Sequence, residues 1–533
     1  MIDDGLRRRF SAQKTIFILA GLICIAAAVR IPLLGIPFER DEGEYAYIAW
    51  RLDKNELPYR DWVDQKPPAI FWVYRAALTL PVDPVRGVHL VALIFSAASA
   101  SALFFLARRF VNRFWAFIGA VVFVLLSADP WIEGTAANTE IFMLLPLILS
   151  QIAFFRSAAQ PGRPTLSILC GALIGIAIAF KQVAAVNWFL VVALFPFFVG
   201  AEKRWRNSVW FATWSSIGLF LVAAVIAFYF WIHRGLGELL DNVFTHNLEY
   251  VGAMTWSDRV HFCSDTLARL APTELLIWIF AAVGLIAIVA TRKTGWQAFL
   301  LGWLITSSVG ISSSGYFFPH YFQQWLPPLA VLAVFGAARL SQLTFWKNAS
   351  IARCVLIVSL AALPLKTLWP FWLSFTPADA VREIYPGNFF AEMPAFAARI
   401  GQVAEPQERV FIFGAEPELL FYAQRVSATR YIFLFPLYGP YRDVHEKQVA
   451  TADEIERNAP VAGVYVPNGL FFNPGTDQFF TEWSLSYFKK NFRPDTWLIR
   501  ESGSSAAIVP ARPDLAPPHQ LLGAIFGKES GTR

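Results

Sequence analysis

Eleven apolar stretches, each close to the length needed to cross a bilayer, recur between residue 15 and about residue 373. A helix needs roughly 20 residues to span the hydrocarbon core, so this recurrence limits the fold before any single residue is considered. The stretches lie near 15–38, 85–107, 114–129, 139–155, 165–182, 184–200, 208–232, 274–290, 297–314, 324–339 and 351–373. The third and ninth are short enough to be re-entrant or tilted. Composition agrees: 56% of the residues are hydrophobic, only 16% are charged, and mean hydropathy is +0.46. Such values exclude an ordinary soluble globular chain. The expected fold is a polytopic α-helical membrane protein with about eleven transmembrane helices.

Lys and Arg set the orientation. Arg7, Arg8, Arg9 and Lys14 precede the first span, and Arg108, Arg109, Arg113, Arg156, Arg163, Lys203, Arg204, Arg206, Arg292, Lys293, Lys347 and Arg353 follow in alternate loops. The excess of positive charge on the cytoplasmic side places all of these inside. The loops 39–84, 129–138 and 233–273, the "SGYFFPHYFQQW" connection and everything after 373 then lie outside. The same rule accounts for the sequence pI of about 9.1 without nucleic acid, for which no motif is present. The first span is expected to stay as an anchor, since no small-residue cleavage pattern precedes the acidic cluster that follows it.

Near residue 377 the long apolar runs stop. "RVFIFG" and "VAGVYVP" alternate like short buried strands, and "PELLFYAQR", "HEKQVATADEIERN" and "FFTEWSLSYFKKNF" like helices before a last strand, "TWLIR". The chain therefore divides into a membrane part, 1–376, and a soluble extracytoplasmic α/β domain, 377–533, whose polar tail from about 510 is expected to be loosely ordered.

Within the loop 39–84, residues 39–68 are the most charged run in the first half of the chain. "EGEYAYIAWRL" places Tyr45, Ile48 and Leu52 on one helical face, and "PPAIFWVYRAAL" begins with prolines suited to a first helical turn. Two helices along the membrane surface are expected. Asp41, Glu42 and Glu44 crowd the start of the first. Asp41-x-x-Glu44 has the form of a capping box; equally, a carboxylate held at a membrane surface suits a general base. Gly43 would allow another molecule to approach the backbone closely. In "DQKPP", Pro67 and Pro68 restrict the backbone around Lys66, so its ammonium has a defined direction and suits a phosphate; a lysine snorkelling to the interface is the simpler alternative.

Further candidates follow along the chain. Glu140 opens the fourth span in "TAANTEIFM", as an acid or as a helix cap. Lys181 interrupts two apolar runs in "AIAFKQVAAV", and an intramembrane charge is a candidate for function by default. His320 and Tyr321 sit at an outer membrane edge, and Arg259 and Arg269 in the long outer loop could meet phosphate. No HExxH-type spacing marks a metal site.

With these residues located, the chain resembles the C-type polytopic glycosyltransferases that use polyprenyl-phosphate sugars, more narrowly the bacterial relatives of the protein O-mannosyltransferases and of the lipid A aminoarabinose transferase. The resemblance rests on Asp41-Glu42 after the first span, "KPP" at 66–68, "NTE" ending at Glu140, "HYFQQWLPPL", and the tail segment "VFIFGAEPELLFYAQR". It implies Asp41, with Glu42 beside it, as the base that activates the acceptor, Glu140 as a second outer acid, and Lys66 as the contact to the donor phosphate, joined by Arg259 and Arg269. It also implies a bacterial inner-membrane enzyme, a hexosyl- or pentosyltransferase, that moves a sugar from a polyprenyl phosphate to a lipid, glycan or protein acceptor with inversion. Glu44, Asp64, Lys181, His320 and Tyr321 are further site candidates. The aminoarabinose transferases carry a Glu, linked to a bound metal, immediately before this lysine. Here the position is Gln65, with Asp64 one residue further away, and the use of a divalent metal stays open. The alternative function, a transporter or flippase of a lipid-linked sugar, would more naturally show inverted repeats and broken midplane helices.

Overall fold

The computed structural model describes residues 2–252, 254–291, 294–343, 348–439, 441, 443–466, 477–502, 505–512, 518 and 520–528. Of the basic residues used for orientation, Arg292, Lys293 and Lys347 fall outside these. The chain forms two compact units, each assembled from three segments: Met1–Leu34, Val88–Phe228 and Met254–Ser374 make the first, and Gly35–Gly87, Tyr229–Ala253 and Phe375–Arg533 the second.

The first unit is helical, and each of the eleven apolar stretches lies on a helix. Among the described residues, six helical segments are long and apolar enough to cross a membrane: Gln13–Leu33, Pro84–Ala107, Thr139–Ala159, Ala201–Ile232, Trp256–Val289 and Ala349–Leu373. Arg113–Ser127, Pro164–Ile178 and Gln182–Phe197 are apolar but shorter. The expected span 274–290 is only the second half of a 34-residue helix, Trp256–Val289. Thr255 and Asp258 start that helix as a capping box, and its polar first turns continue into the apolar part without a break. Arg259 and Arg269 therefore stand on a helix, not on a loop.

Close helix packing in this unit is set by glycines. A Cβ at Gly284 would strike the Leu332 carbonyl, and one at Gly336 the Phe280 carbonyl, so the helices Trp256–Val289 and Leu326–Leu340 approach backbone to backbone. Phe154, Phe155 and Phe299 form part of an aromatic cluster inside the same core.

The second unit is built on a six-stranded mixed sheet: β1 (Arg409–Gly414), β2 (Val426–Ser427), β3 (Ala462–Val466), β4 (Arg493–Ser502), β5 (Ser505–Pro510) and β6 (Leu521–Gly527) in the order β2-β1-β3-β6-β4-β5. β1 runs parallel to β2 and β3, with Ile412 opposite Val464. Its nearly continuous apolar run is what a strand covered on both faces requires. Phe411 and Phe413 pack with Phe480, Phe488 and Ile455 from the helices Val444–Asn458 and Phe479–Asn491. The expected last strand, "TWLIR", lies within β4 and is followed by two more. β6 comes from the tail that was expected to be loose, and it pairs antiparallel with both β3 and β4. The apolar core of "LLGAIFG" justifies an interior position that its polar and proline-rich flanks obscured.

Two helices of the second unit, Arg40–Leu52 and Ala69–Leu78, occupy the loop 39–84. The first has more than one buried face: every residue from Glu42 to Ala49 is buried. It ends before Asn55, which takes a left-handed conformation at φ 62° that asparagine tolerates better than most residues. What closely approaches Gly43 is Glu418 of this same unit, whose backbone a Cβ at residue 43 would strike.

Candidate active site

The acidic start of the helix Arg40–Leu52 is sorted by its cap. Glu39, not Asp41, is the N-cap: its carboxylate accepts from the backbone N–H groups of Asp41 (3.0 Å) and Glu42 (3.2 Å). The Glu42 carboxylate accepts in return from the N–H of Glu39 at 3.3 Å. A capping box is present, two residues earlier than Asp41-x-x-Glu44, and it engages Glu42. Asp41 is thereby not the cap. Its Oδ2 accepts from Lys66 Nζ at 3.0 Å and from the Tyr45 hydroxyl, one turn on, at 3.3 Å. Lys66 also lies 5.5 Å from the centre of the Tyr45 ring.

The pair is partly open, with side-chain exposures of 17% for Lys66 and 27% for Asp41. Glu44 and Asp64 beside it are buried. Burial first, then the charges of Asp64 and Asp41, holds the Glu44 carboxyl well above its ordinary range. Burial likewise pushes Asp64 up to about 7, against the pull of Lys66. Desolvation favours the neutral form of each. Asp64 Oδ1 accepts from the Lys66 N–H at 2.8 Å.

A second cluster lies in the first unit. The helix Pro164–Ile178 stops short of Lys181, which is extended (φ −155°, ψ 125°) before a short 3-10 turn, Gln182–Ala185. Lys181 forms an ion pair with Glu140 at the start of the helix Thr139–Ala159. The Thr139 hydroxyl donates to the other Glu140 oxygen at 2.9 Å, and the ammonium sits 3.4 Å from the centre of the Tyr321 ring. His320, next to Tyr321 on the 3-10 helix Pro319–Trp325, pairs through Nδ1 with Glu133 Oε2 at 2.6 Å. Glu140, Lys181 and Tyr321 are thus brought together.

Arg259 and Arg269 join neither cluster by any contact described. Arg259 donates to the backbone carbonyls of Met254 and Ser312, and Arg269 faces the Trp131 ring. Three contributors were not anticipated: Glu39 as the cap, Tyr45 as a donor to Asp41, and Glu133. An i,i+4 spacing from Asp41 marks Tyr45 in retrospect. Nothing local marks Glu133, which lies 187 positions from its histidine.

The residues do not fit the metal implied by the resemblance. Gln65 offers a neutral amide oxygen where the resemblance has a carboxylate, so the charge that would balance a divalent cation is missing. Among the described residues, no three His, Cys, Asp or Glu side chains converge as a ligand set.

Comparison with known proteins agrees with the fold. Residues 65–230 match the sequence profile of the family described as dolichyl-phosphate-mannose-protein mannosyltransferase. The undecaprenyl phosphate-alpha-4-amino-4-deoxy-L-arabinose arabinosyl transferase of Edwardsiella ictaluri is 23% identical over 338 residues, 58% of this chain. The matched region spans 57% of that relative's length. Among solved structures, ArnT from Cupriavidus metallidurans, bound to undecaprenyl phosphate, superposes with a TM-score of 0.60 at 13% identity, over 95% of this chain and 99% of that one. The Archaeoglobus fulgidus oligosaccharyltransferase gives 0.54 at 10% identity, over 96% of this chain and 75% of that one. The chain has the fold of these polytopic C-type glycosyltransferases, and it resembles the aminoarabinose transferase and the O-mannosyltransferases in sequence.

Proposed function

We propose that a chain with this fold transfers a sugar from a polyprenyl-phosphate donor to an acceptor on the extracytoplasmic side of a bacterial inner membrane, with the N-terminus inside and residues 377–533 outside. The observation that carries this reading is the Asp41–Lys66 pair, with Asp41 relieved of capping by Glu39 and its neighbours Glu44 and Asp64 biased toward the neutral form.

In the reaction, Asp41 accepts the proton of an acceptor hydroxyl or amine as that atom bonds to C1 of the sugar. The bond from C1 to the phosphate oxygen breaks in the same displacement, its electron pair leaves with the polyprenyl phosphate, and the anomeric centre inverts. An ammonium has three N–H donors, so Lys66 can serve a carboxylate and a phosphate oxygen together, and a cation fixed in advance stabilises the leaving charge without reorganisation. Glu140, the second acid of the resemblance, is held in its ion pair with Lys181, and no step is assigned to it. No step is assigned to a metal.

The test is transfer from labelled polyprenyl-phosphate sugars by membranes carrying Asp41→Asn. Loss of a general base lowers the rate by about 10²–10⁴. Transfer at the wild-type rate would remove Asp41 from the chemistry.

A further inference from the structure

Lys66 lies outside any helix or strand, so something other than regular structure must fix the direction of its side chain. Two peptide units flank its Cα. The first, between Gln65 and Lys66, is held at both ends: Asp64 Oδ1 accepts from its N–H at 2.8 Å, and Asn247 Nδ2 donates to its carbonyl, the Gln65 oxygen, at 2.9 Å. The second, between Lys66 and Pro67, has no N–H to satisfy, and its carbonyl accepts from the Tyr59 hydroxyl at 2.6 Å. Every backbone polar group on the two peptides is therefore taken up by a side chain. With both planes fixed, φ and ψ of Lys66 are fixed, and the Cα–Cβ direction with them.

The two donors are themselves constrained. Tyr59 is fully buried against Phe71 and Phe230. It adopts φ +70°, a left-handed conformation uncommon for a bulky residue and held only where the surroundings enforce it. Its N–H donates to the Trp62 carbonyl at 2.7 Å, and the Tyr59 carbonyl accepts from Arg430. Asn247 follows a π-helical turn, Asp241–Thr245. Its amide also donates to the Val243 carbonyl at 2.9 Å, tying the turn to the Lys66 loop. π-Helical turns of this kind are frequent at functional sites.

We propose that Tyr59 and Asn247 are positioning residues that aim the Lys66 ammonium at the donor phosphate by clamping the backbone on either side of it. The inference rests on the reading of Lys66 as the phosphate contact. The segment 233–273 thus contributes an amide acting on the backbone of Lys66.

The experiment is titration of the purified full-length protein in nanodiscs with undecaprenyl phosphate. Tyr59→Phe keeps the ring and loses only the hydroxyl; Asn247→Ala acts from a different element, so a folding defect in one variant leaves the other to decide. Each should raise Kd about five- to tenfold, the size of one lost hydrogen bond. In a Lys66→Ala background the same substitutions should change Kd less than about twofold, because a clamp has nothing left to aim. Equal weakening in both backgrounds would make the residues merely structural and overturn the proposal. Unchanged Kd in Tyr59→Phe and Asn247→Ala while Lys66→Ala binds weakly would overturn it and spare the phosphate reading. Unchanged Kd in Lys66→Ala would overturn both.

Discussion

The two units carry the same constellation in different states of closure. In each, a lysine pairs with a carboxylate beside a tyrosine ring: Lys66, Asp41 and Tyr45 in the second unit, Lys181, Glu140 and Tyr321 in the first. The side chains of the first unit's pair are 11% and 0% exposed, and the ammonium sits 3.4 Å from the ring centre. Those of the second unit's pair are 17% and 27% exposed, and the ring is 5.5 Å away. A closed pair can be exchanged for a substrate only at the cost of baring a buried charge. A partly open one can share its donors with an incoming phosphate. On the proposed reading, the closed pair holds its surroundings and the partly open one meets the donor phosphate.

The comparison breaks first on stability. Lys181→Ala leaves Glu140, which has no exposure, without its cation, and breaking a buried pair in this way costs about 3–5 kcal/mol. Lys66→Ala uncovers a carboxylate already in contact with solvent and should cost about 1 kcal/mol or less. Thermal unfolding of the two variants in the same detergent decides it; equal losses would erase the distinction between the pairs.

Protonation sharpens the comparison next. Asp64, held up at about 7 mainly by burial, ionises near 4 in an unfolded chain. Between about pH 4 and 7 the folded protein therefore keeps a proton that the unfolded chain has released. Stability falls as pH rises through that window and levels off above it. Glu44, also raised, acts with the same sign. Asp64→Asn removes one of the two contributions, so the drop in melting temperature from pH 5 to pH 8 should be smaller than in wild type. An identical drop would mean that Asp64 is ionised throughout.

How far these features were legible in the sequence depends on how local their causes are. Eleven apolar stretches became helices because chain length and hydropathy act locally. β1 and β3 were legible for the same reason. β6 was not, since what makes "LLGAIFG" an interior strand is the pair of neighbours, β3 and β4, between which it lies. In the site, Asp41, Glu140, Lys66 and Lys181 drew attention as charges in costly places. Asp41 and Lys66 could be assigned to one site, but the direct contacts did not show, because Glu140 and Lys181 are 41 positions apart and Asp41 and Lys66 are 25 apart. The positive φ of Tyr59 left no trace at all, as neither glycine nor asparagine marks it.

The smallest expected effect bears most directly on the roles at the start of the helix Arg40–Leu52. The sequence suggests Asp41 as the cap, and the structure gives that work to Glu39 with Glu42 in return. Glu39→Ala should then cost about 1 kcal/mol of stability, the usual size of a lost cap, and leave sugar transfer per folded molecule near wild type. Asp41→Asn should do the reverse, sparing the melting temperature and removing transfer. Both substitutions fall at the N-cap and in the first turn of one helix, so a difference between them cannot come from a general loosening of that helix. If Asp41→Asn melts early while transferring sugar, and Glu39→Ala is stable but inactive, cap and base have been assigned to the wrong carboxylates.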